Sequence, residues 1–140
     1  SPTGRSRRDW EFVVVTDRDA LQALSDSRAG GAAKMLAGAA AAIVVLADTS
    51  ATDVWCEDCS IAMSNMHLMA TELGLGSCWI QGRLREAPDG RTTDAYVREV
   101  LGAPEGLALE AMLSVGVPKV DPAPRKLEDI DMGKVHWGRF

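Results

Sequence analysis

Thr71-Glu-Leu-Gly-Leu-Gly-Ser-Cys-Trp-Ile-Gln-Gly-Arg83 is the stretch of sequence that decides the fold of this chain. It follows a long apolar helical pattern that ends at Leu73, so Gly74 stands where helices commonly finish with a left-handed residue. The residues from Gly76 to Ile80 then predict a strand at the edge of a sheet. A helix, a glycine turn and an edge strand in this order indicate a fold that mixes α and β structure.

The chain before the long helix predicts two strands and two helices. Phe12-Val-Val-Val15 is a β-branched run, which favours a buried strand over a helix. Asp17 can cap the next helix because its carboxylate can accept the free amide hydrogens of the first turn, and Leu21 and Leu24 then face inward. The predicted elements are a strand within Glu11–Asp17, a helix over Arg18–Ser27, a helix over Ala32–Ala40 and a strand over Ala42–Ala47.

The chain after the edge strand predicts one more helix, one more strand and an extended tail. A helix over Thr93–Leu101 has a Thr or Asp cap and stops at Gly102-Ala-Pro104, and Leu107–Val117 then predicts a strand. The tail, Pro118–Phe140, holds three of the six prolines, which indicates an arm that runs over the surface or across a partner. The sequence contains no internal repeat and no linker, so residues 1–140 are interpreted as one domain.

Composition supports an ordinary domain and excludes several classes of function. Of the 140 residues, 46% are hydrophobic and 25% are charged, which suits a compact core. The net charge of -5 argues against broad nucleic-acid binding, which needs clustered Lys and Arg to neutralise phosphates. The uncharged stretches Met35–Ala47 and Cys59–Thr71 fall well short of the ~20 apolar residues that span a bilayer, so no membrane contact is predicted.

The three cysteines predict a reducing environment. They are too few for a disulfide framework, and an odd number leaves at least one thiol unpaired, so the cytoplasm is the expected location. Cys56 and Cys59 form a C-x-x-C pair, but neither a second pair nor a histidine cluster with zinc spacing accompanies it. Ordinary buried or interfacial thiols are therefore expected, and no metal site is predicted.

The long helical pattern, Val54–Leu73 with Asp53 as its expected cap, is apolar on several sides. Glu57 and Asp58 are first-turn acids, which the helix dipole favours. Such a helix is covered either as the central helix of a core or by a second subunit, and its length relative to the chain favours a homodimer. The apolar positions are Val54, Trp55, Cys59, Ile61, Ala62, Met63, Met66, Leu68, Met69 and Leu73.

Three segments, in the same order along the chain, resemble the nitroreductase family. Thr71–Arg83 is similar to the flavin-edge loop of that family, Trp55–Ala70 to the helix before it, and Ser1–Val15 to the opening of the domain. The resemblance implies an α+β fold with a central, mostly antiparallel sheet flanked by helices, in a single FMN-binding domain over residues 1–140. It also implies a homodimer whose interface holds the FMN.

The resemblance implies that backbone amides form the flavin site, and that no side chain has a catalytic role because the flavin carries the chemistry. Matching the edge loop places the Gln81 amide at flavin N5 and the Gly82 amide at O4, with Trp79 and Ile80 flanking them. A glycine at position 82 lets the backbone approach the flavin without a side chain. The edge loop is therefore the first candidate cofactor site.

The opening segment departs from the Asn-x-Gln-Pro pattern of the family. Ser6, Arg8 and Asp9 stand at the Asn, Gln and Pro positions. Ser6 can still donate one hydrogen bond towards the flavin ring system, with a shorter reach than Asn. Arg5 or Arg7 is expected to supply a cation near flavin N1 and O2, the alternative being an arginine that is simply solvated.

The tail carries the expected phosphate contact. Arg125 and Lys126 stand where the family returns a basic pair to the FMN phosphate, and charge-assisted hydrogen bonds suit that ligand. A solvated charge pair is the alternative interpretation. The N-terminal helix of the family, whose Arg-Arg-Ser-x-Arg-type motif also grips the phosphate, has no counterpart in these residues, so a chain that begins at Ser1 is expected to lack one phosphate clamp.

The resemblance implies an enzyme that passes hydride from NADH or NADPH, through FMN, to an electron-poor acceptor such as a nitroaromatic or a quinone. Two other interpretations stay open. The departures at Ser6 and Asp9 are compatible with a flavin-binding or flavin-free homodimer that has lost turnover, and related scaffolds serve dehalogenation or deazaflavin chemistry. The expected partners are a second copy of the chain and a small-molecule acceptor, not nucleic acid or a membrane.

Overall fold

Four strands form one antiparallel sheet at the centre of the structure. The computed structural model describes residues 1–120 and 122–140, and Asp121 lies outside the described residues. The strands are β1 (Trp10–Val15), β2 (Ala41–Asp48), β3 (Gly76–Gln81) and β4 (Leu107–Gly116). Their order in the sheet is β1-β2-β4-β3, and all three neighbouring pairs are antiparallel. This order makes β3 an edge strand, as the sequence predicted.

Three α-helices connect the strands: α1 (Arg18–Ser25), α2 (Trp55–Glu72) and α3 (Thr93–Leu101). The side chain of Asp17 caps α1 by accepting the amide hydrogen of Ala20, and Thr92 caps α3 in the same way. Gly74, just after α2, has φ of 70°, a left-handed conformation that glycine adopts at little cost. The predicted cap at Asp17 and the helix stop at Gly74 are therefore confirmed, and of the Thr or Asp cap predicted for α3 the structure shows a Thr.

The helices cover both faces of the sheet, which explains why the strands are nearly continuous in apolar residues. On one face α1 and α3 bury Leu21, Leu24 and Val97 against the alternate residues Val44 and Leu46 of β2 and their neighbours. On the other face α2 packs Cys59 and Met63 against a second cluster of buried residues. The second cluster is completed by Val45, Ala47, Ala111 and Leu113.

A β-bulge interrupts the pairing of β2 with β4. Leu46 pairs with Leu109 and Val45 pairs with Ala111, so Glu110 is the extra residue on β4. Because of this insertion, the consecutive residues Glu110 and Ala111 lie on the same face of the sheet: Glu110 reaches Cys56 on α2, and Ala111 belongs to the α2 cluster. The bulge thus directs a carboxylate into the α2 side of the sheet.

Two sequence predictions about helices are wrong. The segment predicted as a helix over Ala32–Ala40 contains only a 3-10 helix at Lys34–Gly38, because few residues separate the left-handed Gly30 and Gly31 from the start of β2. Asp53 does not cap α2: the residue at that position is Val54, and no side chain caps this helix end.

The tail after β4 is extended and largely exposed, in agreement with the predicted arm. Two short 3-10 helices, Leu127–Asp129 and Met132–Lys134, are its regular structure among the described residues. Large apolar side chains along it face solvent in the single chain, and Trp137 is 84% exposed. No helix in the described ranges 1–120 and 122–140 has both the length and the apolarity needed to cross a membrane.

Candidate functional site

The end of β3 presents two of the predicted flavin-edge residues on the α2 face and buries a third. Ile80 is 2% exposed and belongs to the core cluster with α1 and α3. Trp79 and Gln81 alternate to the other face, where the Trp79 indole Nε1 donates to Gln81 Oε1 at 2.8 Å. The side-chain nitrogen of Gln81, Nε2, in turn donates to the Arg83 carbonyl at 3.2 Å. These bonds fix the two side chains relative to the turn that follows.

The backbone of Gln81 points to the open edge of the sheet. In an antiparallel pair, alternate residues bond to the neighbouring strand and the others point away from it. The Val115 carbonyl, opposite Ser77, accepts from Ala40 on the β2 side, so Ser77 and Gln81 turn their amide and carbonyl groups away from β4. The Gln81 carbonyl accordingly accepts from the Arg28 guanidinium. Its amide hydrogen faces outward at the position predicted for the flavin N5 contact.

Gly82 is required by packing inside the chain. A Cβ at this position would lie 2.3 Å from Leu109 Cδ2 and 2.7 Å from Leu109 Cγ, distances that real Cβ atoms do not show. The Gly82 amide donates to the Glu110 carbonyl at 3.2 Å, and that carbonyl also accepts from the Arg83 amide at 2.9 Å. The O4 contact stays a prediction, and it requires the Gly82 amide to share or leave its bond to Glu110.

A buried acid lies directly behind this turn. Glu110 is 3% exposed, and its carboxylate pairs with Arg83 Nε at 3.1 Å. The thiol of Cys56 donates to the same carboxylate at 3.3 Å, and the Arg83 guanidinium carbon lies 6.0 Å from the centre of the Trp55 ring. Burial, with Glu110 adding to it, raises the pKa of the Cys56 thiol, which keeps this thiol in its neutral donor form.

Cys59 is also a buried, unreactive thiol. Burial is the largest of the effects that raise its pKa to about 12, and the charges of Asp9 and Glu110 add to it. Its thiol lies 3.9 Å from the Leu46 carbonyl, a weak contact inside the α2 cluster. All three cysteines are free. The prediction of ordinary thiols is consistent with this arrangement, in which the C-x-x-C pair shows no disulfide.

The N-terminal loop, Thr3–Asp9, presents the other predicted flavin contacts in a strained conformation. Arg5, Ser6 and Arg8 have φ of 51°, 55° and 52°, in the left-handed region that non-glycine residues seldom adopt. Arg5, Ser6 and Arg7 are exposed, so their donors are available to a ligand. The loop is closed by the Arg8 amide, which donates to Thr3 Oγ1 at 3.0 Å.

Asp58 joins this loop to the first turns of α2. It is 3% exposed, and its two carboxylate oxygens lie 2.8 and 2.9 Å from the Gly4 amide nitrogen. The sequence interpretation, a first-turn acid favoured by the helix dipole, explains the position of Asp58 in the helix but misses this contact. Because Trp55 lies under Arg83 and Asp58 lies under Gly4, the start of α2 supports both the N-terminal loop and the β3 turn.

The predicted phosphate pair lies apart from these loops, on the extended tail. Arg125 is exposed, and the Lys126 ammonium pairs with Glu128 at 3.3 Å. Both side chains of that pair are more than 70% exposed, so solvent screens the pair and it contributes little to stability. A phosphate can therefore compete with Glu128 for Lys126 at small cost.

Sequence reasoning missed three residues of the site. Arg28 follows α1 in a loop with no motif, and only the fold reveals that it reaches the Gln81 carbonyl. Asp58 carried no signal beyond its place in the first turn of a helix. Glu110 did carry one, because it is the only charged residue in the otherwise apolar strand Leu107–Gly116. A buried acid of that kind needs a partner, and Arg83 supplies it.

Comparison with known proteins identifies the family. The sequence model described as "Nitroreductase family" matches residues 26–117, well over half of the chain. This chain belongs to the nitroreductase family. A solved structure named as an FMN-dependent nitroreductase from Clostridium difficile R20291 is 42% identical, with a TM-score of 0.96, and the match covers 99% of this chain and 80% of that one. The predicted family and the predicted antiparallel sheet flanked by helices are thereby confirmed.

Two other relatives of this nitroreductase-family chain agree. A protein of Archaeoglobus fulgidus with the name "Putative NADH dehydrogenase/NAD(P)H nitroreductase" is 37% identical over 123 residues, 85% of this chain and 67% of the relative. A structure from Parabacteroides distasonis with the same name is 32% identical, with a TM-score of 0.85, and the match covers 99% of this chain and 78% of that one. The family-model match contains Arg28, α2 and the β3 turn, whereas the Thr3–Asp9 loop and Arg125 lie outside it.

Proposed function

We propose that this nitroreductase-family chain is an FMN-dependent oxidoreductase that passes hydride from NADH or NADPH to an electron-poor acceptor such as a nitroaromatic or a quinone. The observation that carries the proposal is the likeness, over 99% of the chain, to a protein named as an FMN-dependent nitroreductase. At 42% identity and a TM-score of 0.96, the two chains share much of their sequence as well as their fold. Both nicotinamides remain candidate donors.

The residues at the β3 edge and in the N-terminal loop fit an isoalloxazine ring. FMN, when bound, supplies the hydride chemistry, and the chain needs to supply donors, orientation and charge. The outward amide of Gln81 is a donor suited to N5, and the exposed Ser6 hydroxyl is a second donor. Arg5 and Arg7 offer cations that favour negative charge at N1 and O2. Trp79, which is 37% exposed, flanks the contact on the same face, whereas Ile80 adjoins Gln81 only along the strand and has its side chain in the core.

The basic pair on the tail is the proposed phosphate contact. Arg125 and Lys126 are exposed, and their only described ion pair joins Lys126 to the equally exposed Glu128. Guanidinium and ammonium groups bind a phosphate dianion through charge-assisted hydrogen bonds, which are stronger than the screened pair they replace. We therefore expect both residues to contribute to FMN affinity without a role in the structure of the sheet.

The proposal includes a homodimer, because a large apolar surface on α2 and β1 lacks cover in the single chain. Phe12 and Val14 on β1, with Leu68 and Met69 on α2, are 41%, 66%, 66% and 57% exposed. Between the two elements runs an apolar groove of about 400 Å³ that includes Ile43. An exposed, contiguous apolar surface of this kind favours a protein interface.

The dimer is tested by sedimentation of the purified chain. Met69→Glu places a charge in this groove and is expected to shift the chain towards the monomer. Met35→Glu is the matched control, since Met35 is 40% exposed and lies in the 3-10 helix Lys34–Gly38, which packs against α1 on the opposite face of the sheet. A wild-type monomer, or equal sedimentation of both variants and the wild type, would exclude an interface on this surface.

The location proposed for the enzyme is the cytoplasm. All three cysteines are free thiols, as a reducing compartment favours.

The proposed reaction is tested by visible absorption of the purified chain after FMN addition and desalting, followed by anaerobic NADH or NADPH. Retained flavin absorbance that bleaches with either nicotinamide is the expected result. Retained absorbance without bleaching would replace the proposed donor and favour a binding role, which the departure at Ser6 motivates. Loss of flavin from a folded chain would contradict the proposal.

A further inference from the structure

The Thr3–Asp9 loop needs an anchor, because its backbone is unfavourable by itself. Three of its residues, Arg5, Ser6 and Arg8, have positive φ, and such residues persist only where the surroundings hold them. Residues 3–8 of the loop belong to no strand, and the side chains of Arg5, Ser6, Arg7 and Arg8 are exposed. Short turns and the Arg8 bond to Thr3 form within the loop, so the described contacts that join it to the rest of the chain lie at its two ends, Gly4 and Asp9.

The first end is anchored on α2 by Asp58. Both Asp58 oxygens accept from the Gly4 amide, at 2.8 and 2.9 Å, in a position that is 97% buried from solvent. Gly4 fits against the helix only because it has no side chain, since a Cβ would lie 2.6 Å from Val54 Cγ2 and 3.5 Å from Asp58 Oδ2. The absence of a side chain at Gly4 therefore lets the loop approach the helix closely enough for the Gly4 amide to donate to Asp58.

The second end is anchored by Asp9. Its carbonyl accepts from the Asp48 amide at 2.9 Å, and its side chain is 5% exposed. Neither carboxyl oxygen of Asp9 has a donor among residues 1–120 and 122–140, although both are fully buried. Burial raises the pKa of this carboxyl group most, and a side-chain hydrogen bond with Asp58 raises it further. Two buried carboxyl groups in contact are stable together when they share one proton, because the protonated group then donates to the other.

We propose that Asp9 and Asp58 share one proton and are positioning residues, which together hold the Thr3–Asp9 loop in the shape that presents Ser6 and its neighbouring arginines to the flavin. The inference rests on the proposed function in so far as the loop contacts FMN. Asp9 carries the proton and donates to Asp58, and Asp58 accepts from Gly4.

The surroundings of Asp9 favour its protonated form. Burial is the main cause that raises the pKa of the Asp9 carboxyl, and the neighbouring Asp58 and Asp48 carboxylates raise it further. From α2 the group also faces Cys59, a thiol that is neutral because its pKa lies at about 12. On β4, Glu110 acts on Cys59 and is paired with Arg83. The elements packed around Asp9 contribute acids and a neutral thiol, and its own backbone amide acts in the opposite direction without forming a hydrogen bond to either carboxyl oxygen.

The shared proton is tested without cofactor by following the Gly4 amide resonance in nitrogen-proton NMR spectra as pH rises. In the wild type we expect this resonance to shift as Asp9 loses its proton, because the Gly4 hydrogen bond loosens with the pair. In Asp9→Asn the shift is expected to be absent, since an amide donates to Asp58 at every pH. Identical titration of Gly4 in the wild type and in Asp9→Asn, or no titration in the wild type, would overturn the proposal.

The role in cofactor binding is tested by FMN titration of the wild type, Asp9→Asn, Asp58→Ala and Asp58→Asn, with Asp53→Asn as the control at an exposed acid beside the start of α2. Asp58→Ala is expected to weaken FMN binding about tenfold, and Asp58→Asn to restore part of it by keeping one acceptor for Gly4. Wild-type affinity is expected to fall as pH rises, whereas that of Asp9→Asn stays level. Near-ultraviolet circular dichroism checks that each variant is folded.

The outcomes separate this inference from the proposed function. A wild-type chain that binds no FMN would contradict the function, while the Gly4 titration would still decide whether the proton is shared. A wild-type chain that binds FMN with the same affinity and pH dependence as folded Asp58→Ala and Asp9→Asn would keep the function and overturn the positioning role. If Asp58→Ala does not fold, Asp58→Asn and Asp9→Asn carry the comparison alone.

Discussion

The β3 turn and the N-terminal loop are both predicted to contact the flavin, yet they are held in different ways. The turn continues a strand of the sheet, and Gly82 is packed against Leu109 in the core. The loop belongs to no strand as far as Arg8, and it is joined to the rest of the described chain by the Gly4 contact with Asp58 and by the Asp9 carbonyl, which accepts from Asp48 at the end of β2. One side of the candidate site, the β3 turn, is thus held by core packing, whereas the other side, the N-terminal loop, depends on a few polar contacts.

This difference matters for function because substitutions in the β3 turn and in the N-terminal loop are expected to change different properties of the protein. A change at the β3 turn is transmitted to the sheet and is expected to appear in the free energy of unfolding. A change at the loop is expected to appear in ligand affinity and in its pH dependence, with little effect on global stability. Variants at the turn and in the loop can therefore test this difference.

The largest effect is expected for Gly82→Ala. Its Cβ would overlap Leu109, a buried residue of the α1 and α3 cluster, so the free energy of unfolding should fall by about 1–3 kcal/mol. Gly38→Ala is the matched control, because its Cβ meets nothing within 4 Å and its φ is not positive. Urea denaturation measures both. A Gly82→Ala variant as stable as Gly38→Ala would show that the turn is not held by the core. The packing at Leu109 also means that Gly82→Trp would disrupt the fold as well as the flavin site.

Arg28→Met is expected to have the next largest effect, about 1–2 kcal/mol, because the Gln81 carbonyl loses a donor that carries a charge. Burial and the nearby Arg85 lower the pKa of the Arg28 guanidinium, and it remains a charged donor at neutral pH. Arg85→Met is the control, since that side chain bonds only the adjacent Leu84 carbonyl among the described contacts. Chemical denaturation should separate the two variants, and equal loss of stability in both would assign no anchoring role to Arg28.

The sequence was sufficient for the elements that local patterns determine. The β-branched run of β1, the Asp17 cap and the glycine after α2 each act over a few residues, and the structure confirms them. Resemblance to a family then supplied the antiparallel character of the sheet and the position of the flavin-edge loop, whereas the order of the strands came only from the structure.

The contacts that fix the candidate site could not be predicted in this way, because they join residues far apart in the chain. Arg28 and Gln81 are separated by 53 positions, and Gly4 and Asp58 by 54. A loop arginine and a first-turn aspartate are each typical of a solvated surface, so residue type alone favours the wrong interpretation. Only the β-bulge at Glu110, an acid inside an apolar strand, left a trace in the sequence.

Asp9→Asn should alter how stability depends on pH. Because the pKa of Asp9 is raised in the folded chain, the folded state binds this proton more tightly than the unfolded state does. Wild-type stability is therefore expected to fall as pH rises from the ordinary aspartate pKa through the raised value, and then to level off. The variant lacks that decline, so its Tm relative to the wild type should increase over this pH interval. Thermal melts from pH 4 to 8 measure it, and parallel curves would show that Asp9 ionises as freely in the folded chain as in the unfolded one.

Trp79→Phe is expected to have the smallest effect on stability, about 0.5 kcal/mol, because it removes one hydrogen bond from a side chain that is 37% exposed. The loss should nevertheless free the Gln81 side chain, whose oxygen accepts the indole proton at 2.8 Å. The Gln81 backbone stays fixed by the sheet and by Arg28, so the proposed N5 donor does not move. FMN affinity is therefore expected to change by less than about twofold in Trp79→Phe, whereas Asp58→Ala, which removes the anchor of the N-terminal loop, changes it about tenfold. If Trp79→Phe weakened FMN binding more than Asp58→Ala does, the β3 turn, and not the N-terminal loop, would be the segment whose contact with the flavin depends on single hydrogen bonds.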